Sequence, residues 1–170
     1  MQFISEEYRK LNEQLHETVR EYGISSVRHV REVINICKSL DTTDVLDYGC
    51  GKSSLARNLP FTIQEYDPAI PKHAALPQPA DIVVCTDVLE HIEPELLDNV
   101  LNHLQSLVKK AGFFTIATRP AKKILADGRN AHLIIQPMRW WVNKLIGRFD
   151  IRMMQKLSGE FVVVVEPLGE

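Results

Sequence analysis

"VLDYGCGKSSL", Val45 to Leu55, runs from four residues of strand character into two glycines one position apart and then into a helix start. Glycine permits positive φ and lets a ligand approach the backbone closely. The first turn of a helix offers N–H groups that no carbonyl of the helix accepts. The stretch therefore reads as strand, glycine turn and helix, with a cradle for a ligand at the turn. It lacks the third glycine of a dinucleotide fingerprint, and no glycine stands five residues before Lys52-Ser53, as a P-loop demands. The plain alternative is a tight turn between strand and helix.

Outward from this turn the hydrophobic period changes repeatedly. Residues of about 5 to 21 read as a helix, with Tyr8, Leu11, Leu15 and Val19 on one face, Ser5 as cap and Gly23 as stop. Ser26 to Leu40 reads as a second helix with Val27, Val30, Val33, Ile34 and Cys37 inward. Asp44–Tyr48, Phe61–Tyr66, Asp81–Thr86 and Gly112–Thr118 read as strands. Ser53–Leu59, Pro94–Lys110 and Pro137–Ile146 read as helices between and after them. Phe149–Leu157 and Glu160–Glu166 make an antiparallel pair turning at Ser158-Gly159. Alternating strands and helices predict an α/β sheet covered on both faces, in a single domain over 1–170 with a helical cap over 1–40. Such sheets bind ligands beyond the carboxyl ends of their strands. Each polar cluster described below follows a strand.

Composition narrows the class. A chain of 170 residues suits one sizeable core, and 45% hydrophobic with 25% charged residues excludes extended disorder. A net charge of −2 supplies no global attraction to nucleic acid or membrane. Cys37, Cys50 and Cys85 include no CxxC pair, which argues against a disulfide framework or zinc ribbon. The charged N-terminus does not read as a signal peptide, and no run reaches the roughly 20 apolar residues of a membrane span. The expectation is a soluble cytoplasmic protein.

Asp47-Tyr-Gly49-Cys-Gly51 after an apolar strand resembles motif I of class I S-adenosylmethionine-dependent methyltransferases. The resemblance extends over about residues 40 to 120. It implies a Rossmann-like sheet, with Asp47, Gly49 and Gly51 under the methionine end of S-adenosylmethionine. It also implies an acid on the ribose hydroxyls, best matched by Asp67 with Glu65 as fallback. "DIVVCTDVLEHI" resembles motif IV, which puts Asp87 near the methionine or metal end. Between Asp67 and Asp81 the chain holds only PAIPKHAALPQPA, where the family fits a helix and a strand. That length predicts a sheet trimmed at one edge, with adenine held by backbone and apolar contacts around His73 to Leu76.

Asp87, Glu90 and His91 stand at i, i+3 and i+4, so a helical turn would project them from one face. His132 lies in the loop after the next strand. The set resembles the ExxEH-plus-His arrangement of two metal-dependent branches. One comprises the small-RNA 3′-terminal 2′-O-methyltransferases, the other the polyhydroxybenzoate O-methyltransferases of ubiquinone synthesis. The resemblance implies a divalent ion on Asp87, Glu90, His91 and His132, and this donor set favours Mn²⁺, Fe²⁺, Co²⁺ or Zn²⁺. Glu90, His91 and His132 are then the candidate catalytic groups for methylating a hydroxyl. Without metal, His91 or His132 is the best general base of a metal-free O- or N-methyltransferase. A non-catalytic cofactor-binding module is the third reading.

Arg119, Lys122, Lys123 and Arg129 make the following loop basic, as suits an anionic small molecule or an RNA end, or simply a solvated loop. Asn130 would orient a substrate hydroxyl or satisfy loop backbone. Trp140 and Trp141 would line a substrate pocket, or one would be core and the other partly exposed. Tyr8, Leu15, His16 and Tyr22 would form a lid, or the first helix would simply pack on the domain.

Overall fold

Strand β1 (Val45–Tyr48) is buried at every residue and has parallel neighbours on both sides, β2 (Gln64–Tyr66) and β3 (Ala80–Thr86). The computed structural model describes residues 2–18 and 25–169. β3 pairs in parallel with β4 (Val108–Ala117), and β6 (Glu160–Pro167) inserts antiparallel between β4 and β5 (Phe149–Leu157). The order β2-β1-β3-β4-β6-β5 leaves β2 at an edge. Between β2 and β3 the chain makes only a 3₁₀ turn, Pro71–His73, and no strand, so the sheet is trimmed where the sequence predicted. This is a Rossmann-like α/β architecture with a C-terminal antiparallel hairpin.

Alternation along the strands assigns the two faces. Leu46, Val83, Cys85, Phe114 and Ile116 point toward α3 (Leu97–Leu107) and α4 (Met138–Leu145), where Trp141 is fully buried. Val45, Ile82, Val84 and Phe113 point toward Val33 and Cys37 of α2 (Val30–Leu40). Helix α3 has no side-chain cap, yet Leu97, Val100, Leu101, Leu104 and Leu107 are buried along it. At roughly 1.5–3 kcal/mol per buried aliphatic residue, that stripe outweighs the ~1 kcal/mol that a cap supplies. Helix α1 (Glu6–Thr18) is capped by Ser5, whose Oγ accepts the Tyr8 N–H at 3.1 Å. Tyr8 and Leu15 pack with Leu125 and Ala131 of the long loop after β4.

Several elements differ from the sequence reading. Ser53–Leu59 forms turns and one 3₁₀ turn, Ala56–Asn58, because Ser53 adopts φ 59 and interrupts the helix at its start. Leu55 and Leu59 are nevertheless buried. Ser25–His29 is 3₁₀ rather than α, which turns Val27 outward to 44% exposure. The Pro94–Lys110 segment opens with a 3₁₀ turn and leaves the helix at Leu107; Lys109 and Lys110 already belong to β4 and pair with Asp44 and Asp81. Val19, Tyr22, Gly23 and the side chain of His16 lie outside the described residues. No helix among the described residues is long and apolar enough to cross a membrane.

Candidate active site

The ends of β1, β2 and β3 open onto one cleft, lined by Gly49, Cys50, Gly51, Asp67, Thr86, Asp87, Val88 and His91 and closed from above by Tyr8 and Asn12 of α1. Gly49 and Gly51 have φ 80 and 52, conformations that tolerate a Cβ poorly. The N–H groups of Gly49 and Cys50 both donate to the Tyr66 carbonyl, at 2.7 and 3.0 Å, which folds the turn onto the end of β2. A Cβ on Gly49 would overlap Val88 Cγ2. The glycine turn thus rests directly on the turn that follows β3.

Asp67 is buried, and its two oxygens accept the N–H groups of Gly51 (3.1 Å) and Ala69 (2.9 Å). A carboxylate has about four acceptor positions, so two remain for a ligand's hydroxyls. Asp47 lies beneath the turn at 1% exposure rather than on the cleft wall. Burial and the charges of Glu65 and Asp67 push its pKa up to about 8. The groove beside Gly51 is walled by Ala69, Ile70 and Pro71. Leu76, farther along, is 65% exposed and forms no part of that wall.

Beyond β3, Asp87 sits at φ 60, its N–H held by the Thr115 carbonyl (3.1 Å) and Oγ1 (3.2 Å). Leu89–His91 is a 3₁₀ turn, so the one-face helical argument fails for Glu90. Glu90 points inward at 0% exposure, and its Oε1 accepts the Ala117 N–H at 2.7 Å. Its Oε2 is buried without a hydrogen-bond partner of sound geometry. Burial, reinforced by the Asp87 charge, raises the Glu90 pKa well above the carboxylate range. Asp87 moves the other way: burial raises it, but His91, Glu90 and His132 together outweigh burial and hold it low.

Asp87, His91 and His132 come together, with one ligand atom from each inside a mutual 4.8 Å. Glu90, the fourth predicted ligand, does not join them. Both imidazoles are oriented by backbone: Nδ1 of His91 lies 2.8 Å from the Ala131 carbonyl and Nδ1 of His132 lies 2.7 Å from the Arg119 carbonyl. A carbonyl only accepts, so each Nδ1 carries a proton, and in the neutral tautomer the lone pair is left on Nε2. The two rings stand edge to face, 4.7 Å apart. A backbone partner on the non-ligating nitrogen is the usual support of a metal-binding histidine.

Residues 8–158 match the family of methyltransferase domains. The chain belongs to that family. It is a methyltransferase-domain protein, and solved S-adenosylmethionine- or S-adenosylhomocysteine-bound methyltransferases share its fold. The 1,6-didemethyltoxoflavin-N1-methyltransferase of Burkholderia thailandensis, solved with its substrate and S-adenosylhomocysteine, superposes with TM-score 0.65 at 15% identity, over 96% of this chain and 90% of that one. Magnesium protoporphyrin IX methyltransferase from Synechocystis PCC 6803, with S-adenosylhomocysteine, gives 0.64 at 15% over 95% and 100%. An O-methyltransferase family protein from Burkholderia thailandensis gives 0.60 at 14%; it is matched by 98% of this chain, which spans 64% of its length. Curated protein sequences yield no match.

In this methyltransferase the basic loop is largely committed to itself. Arg129 is bound to Asp127 at 2.6 Å and lies over the Tyr8 ring. Arg119 covers Gly159 and donates to the Pro120 carbonyl. Lys123 is the basic loop residue that lines the cleft. Trp141 is core and Trp140 half-buried, and neither lines the cleft. Sequence patterns gave no signal for Ser25 and Ser26, which do line it. Tyr8 donates from its hydroxyl to the His91 carbonyl at 2.6 Å, and burial pushes its pKa up to about 12, so the proton stays in place.

Asn130 takes the backbone role rather than the substrate role. Its Oδ1 accepts the N–H groups of Ala121 and His132, each at 2.9 Å, and its Nδ2 donates to the Ala121 carbonyl. Asn130→Ala leaves these groups unpaired at about 1 kcal/mol or more each. The expected result is about 3 kcal/mol of lost stability in denaturant titration, with hydrogen-exchange protection falling selectively over 119–133.

Proposed function

We propose that this methyltransferase acts on a hydroxyl oxygen, with a divalent cation held by Asp87, His91 and His132. The observation that carries this reading is the convergence of those three ligand atoms, with both Nδ1 groups spent on backbone carbonyls. Bound S-adenosylmethionine supplies an electrophilic methyl group on its sulfonium. A cation of the Mn²⁺, Fe²⁺, Co²⁺ or Zn²⁺ class supplies Lewis acidity that lowers the pKa of a hydroxyl.

The chain's own residues divide the remaining work. Gly49 and Gly51 give the cofactor a backbone surface, and Asp67 offers its two remaining acceptor positions to the ribose. The Ala69–Pro71 wall receives the adenine. Asp47, beneath the turn, supports that surface from below. Glu90 is a positioning residue in place of the ligand and catalyst of the sequence reading: its Oε1 holds Ala117, and its carbonyl accepts the Ile134 N–H at 3.0 Å. It therefore fixes the segments on either side of His132 relative to His91. Lys123 on the cleft wall favours an acceptor bearing a carboxylate or phosphate, in a small molecule or at an RNA end.

The test uses protein purified without a polyhistidine tag, stripped by chelator, and offered labelled donor with an acceptor panel of phenolic acids, phosphorylated alcohols and RNA 3′ ends. Methyl transfer is expected only after Mn²⁺ or Co²⁺ is restored. Full turnover in chelator would overturn the metal and make His91 or His132 a general base. Tight S-adenosylhomocysteine binding with no transfer to any acceptor would favour a binding module.

A further inference from the structure

We propose that Cys50, Glu65 and His73 form a second binding site, for a thiophilic divalent cation of the zinc class, outside the methyl-transfer centre. One ligand atom from each falls within a mutual 4.8 Å. The three come from different elements: the glycine turn, the edge strand β2 and the Pro71–His73 3₁₀ turn. Thiolate, imidazole and carboxylate are the three donor types of protein zinc sites, whose bonds of about 2.0–2.3 Å require these atoms to close by roughly 1 Å.

The surroundings independently call for positive charge. Glu65 Oε1 and Asp47 Oδ2 are both buried without hydrogen-bond partners, and Asp47 is 1% exposed. Burial, and after it the charges of Asp47, Asp67 and Glu65, push the Cys50 thiol well up, opposed by Lys72, and a bound cation would reverse that by holding the sulfur as thiolate. Buried carboxylates without partners are costly unless a cation or donor compensates them. His73 is already oriented, with Nε2 3.2 Å from Ser53 Oγ. Its carbonyl accepts the Asp67 N–H at 3.0 Å, and its own N–H donates to Ile70 at 2.8 Å. On binding, the Cys50 thiol releases its proton to solvent and the sulfur bonds the cation.

The location suggests what the site is for. The helix and strand that the fold family places after β2 are missing, and residues 68–79 run along the edge without strand pairing. A cation shared by Cys50, Glu65 and His73 would cross-link that segment to the glycine turn and to β2, replacing the absent strand as the fastening of this edge.

Cobalt(II) distinguishes this site from the Asp87, His91 and His132 group, because only a site containing sulfur gives a near-ultraviolet thiolate-to-cobalt charge-transfer band. Untagged full-length protein is titrated with Co²⁺. The band is expected in wild type, to saturate at one equivalent in the His91→Ala/His132→Ala double variant, and to vanish in Cys50→Ser and in His73→Ala. In the His91→Ala/His132→Ala background, Zn²⁺ at a hundredfold excess over its Kd is expected to raise Tm by about 5–10 °C, and adding His73→Ala is expected to abolish that rise. His73 is half-exposed on a turn, so that variant stays folded and readable even if Cys50→Ser does not. A wild-type titration without the band, or a band that survives in His73→Ala, overturns the site. Neither result bears on the metal at the methyl-transfer centre.

Discussion

His132→Ala is expected to lower kcat by about 10²–10⁴-fold while leaving S-adenosylhomocysteine affinity essentially unchanged. His132 is 6% exposed, and its ring meets Asp87 and His91 rather than the glycine turn. Removing it takes away one of three converging groups and leaves Gly51 and Asp67 in place. His91→Ala is expected to give the same loss, and the double variant little more, because groups that act as one unit are not additive. His132→Gln tests the alternative of simple packing: it fills much of the volume but presents an amide instead of an imidazole lone pair. Calorimetric titration with S-adenosylhomocysteine and single-turnover transfer on the same samples check both halves. Cofactor affinity falling in parallel with rate would show that His132 serves the cofactor instead.

The part of this site that sequence revealed, and the part it concealed, differ for a physical reason. Asp87 and His91 stood out by their close spacing after a buried strand, and His132 through the resemblance to the ExxEH-plus-His arrangement. Glu90 was grouped with them on helical spacing, which requires α backbone from Asp87 onward. Asp87 instead takes a left-handed conformation and the next turn is 3₁₀, so Glu90 rotates into the protein and meets Ala117. The same kind of error made Ser53–Leu59 a helix: Leu55 and Leu59 do reach the core, but Ser53 at φ 59 takes the chain there by turns. Hydrophobic spacing records which side chains are buried and is nearly blind to the backbone that delivers them. The trimmed sheet was legible because chain length is a hard limit: a dozen residues with four prolines cannot form a helix and a strand. That Asn130 serves loop backbone was one of two readings the sequence allowed, but its partner Ala121, and the engagement of Arg129 with Asp127, were not legible. A loop's internal hydrogen bonds leave no periodic trace.

Gly49→Ala is the expected lesion with the largest combined effect on stability and cofactor. Left-handed backbone costs a residue with a Cβ about 1–2 kcal/mol, and the new methyl also collides with Val88. Overpacking of that kind adds about 1–3 kcal/mol, for a total near 2–5 kcal/mol and a Tm about 10 °C lower. The collision is with the residue between Asp87 and the 3₁₀ turn that carries His91, so relief by movement of Val88 disturbs that turn. Relief by movement of the glycine turn instead strains the Gly49 and Cys50 hydrogen bonds to Tyr66 and the cofactor surface above them. Both S-adenosylhomocysteine affinity and methyl transfer are therefore expected to fall, unlike the His132 result. Val88→Ala in the same chain removes the obstructing Cγ atoms but leaves φ 80 in place. The double variant should recover the overpacking share of the Tm loss and keep the conformational share. If Val88→Ala recovers nothing, the two turns are not packed as described, and the coupling between the glycine turn and the turn that carries His91 fails with them.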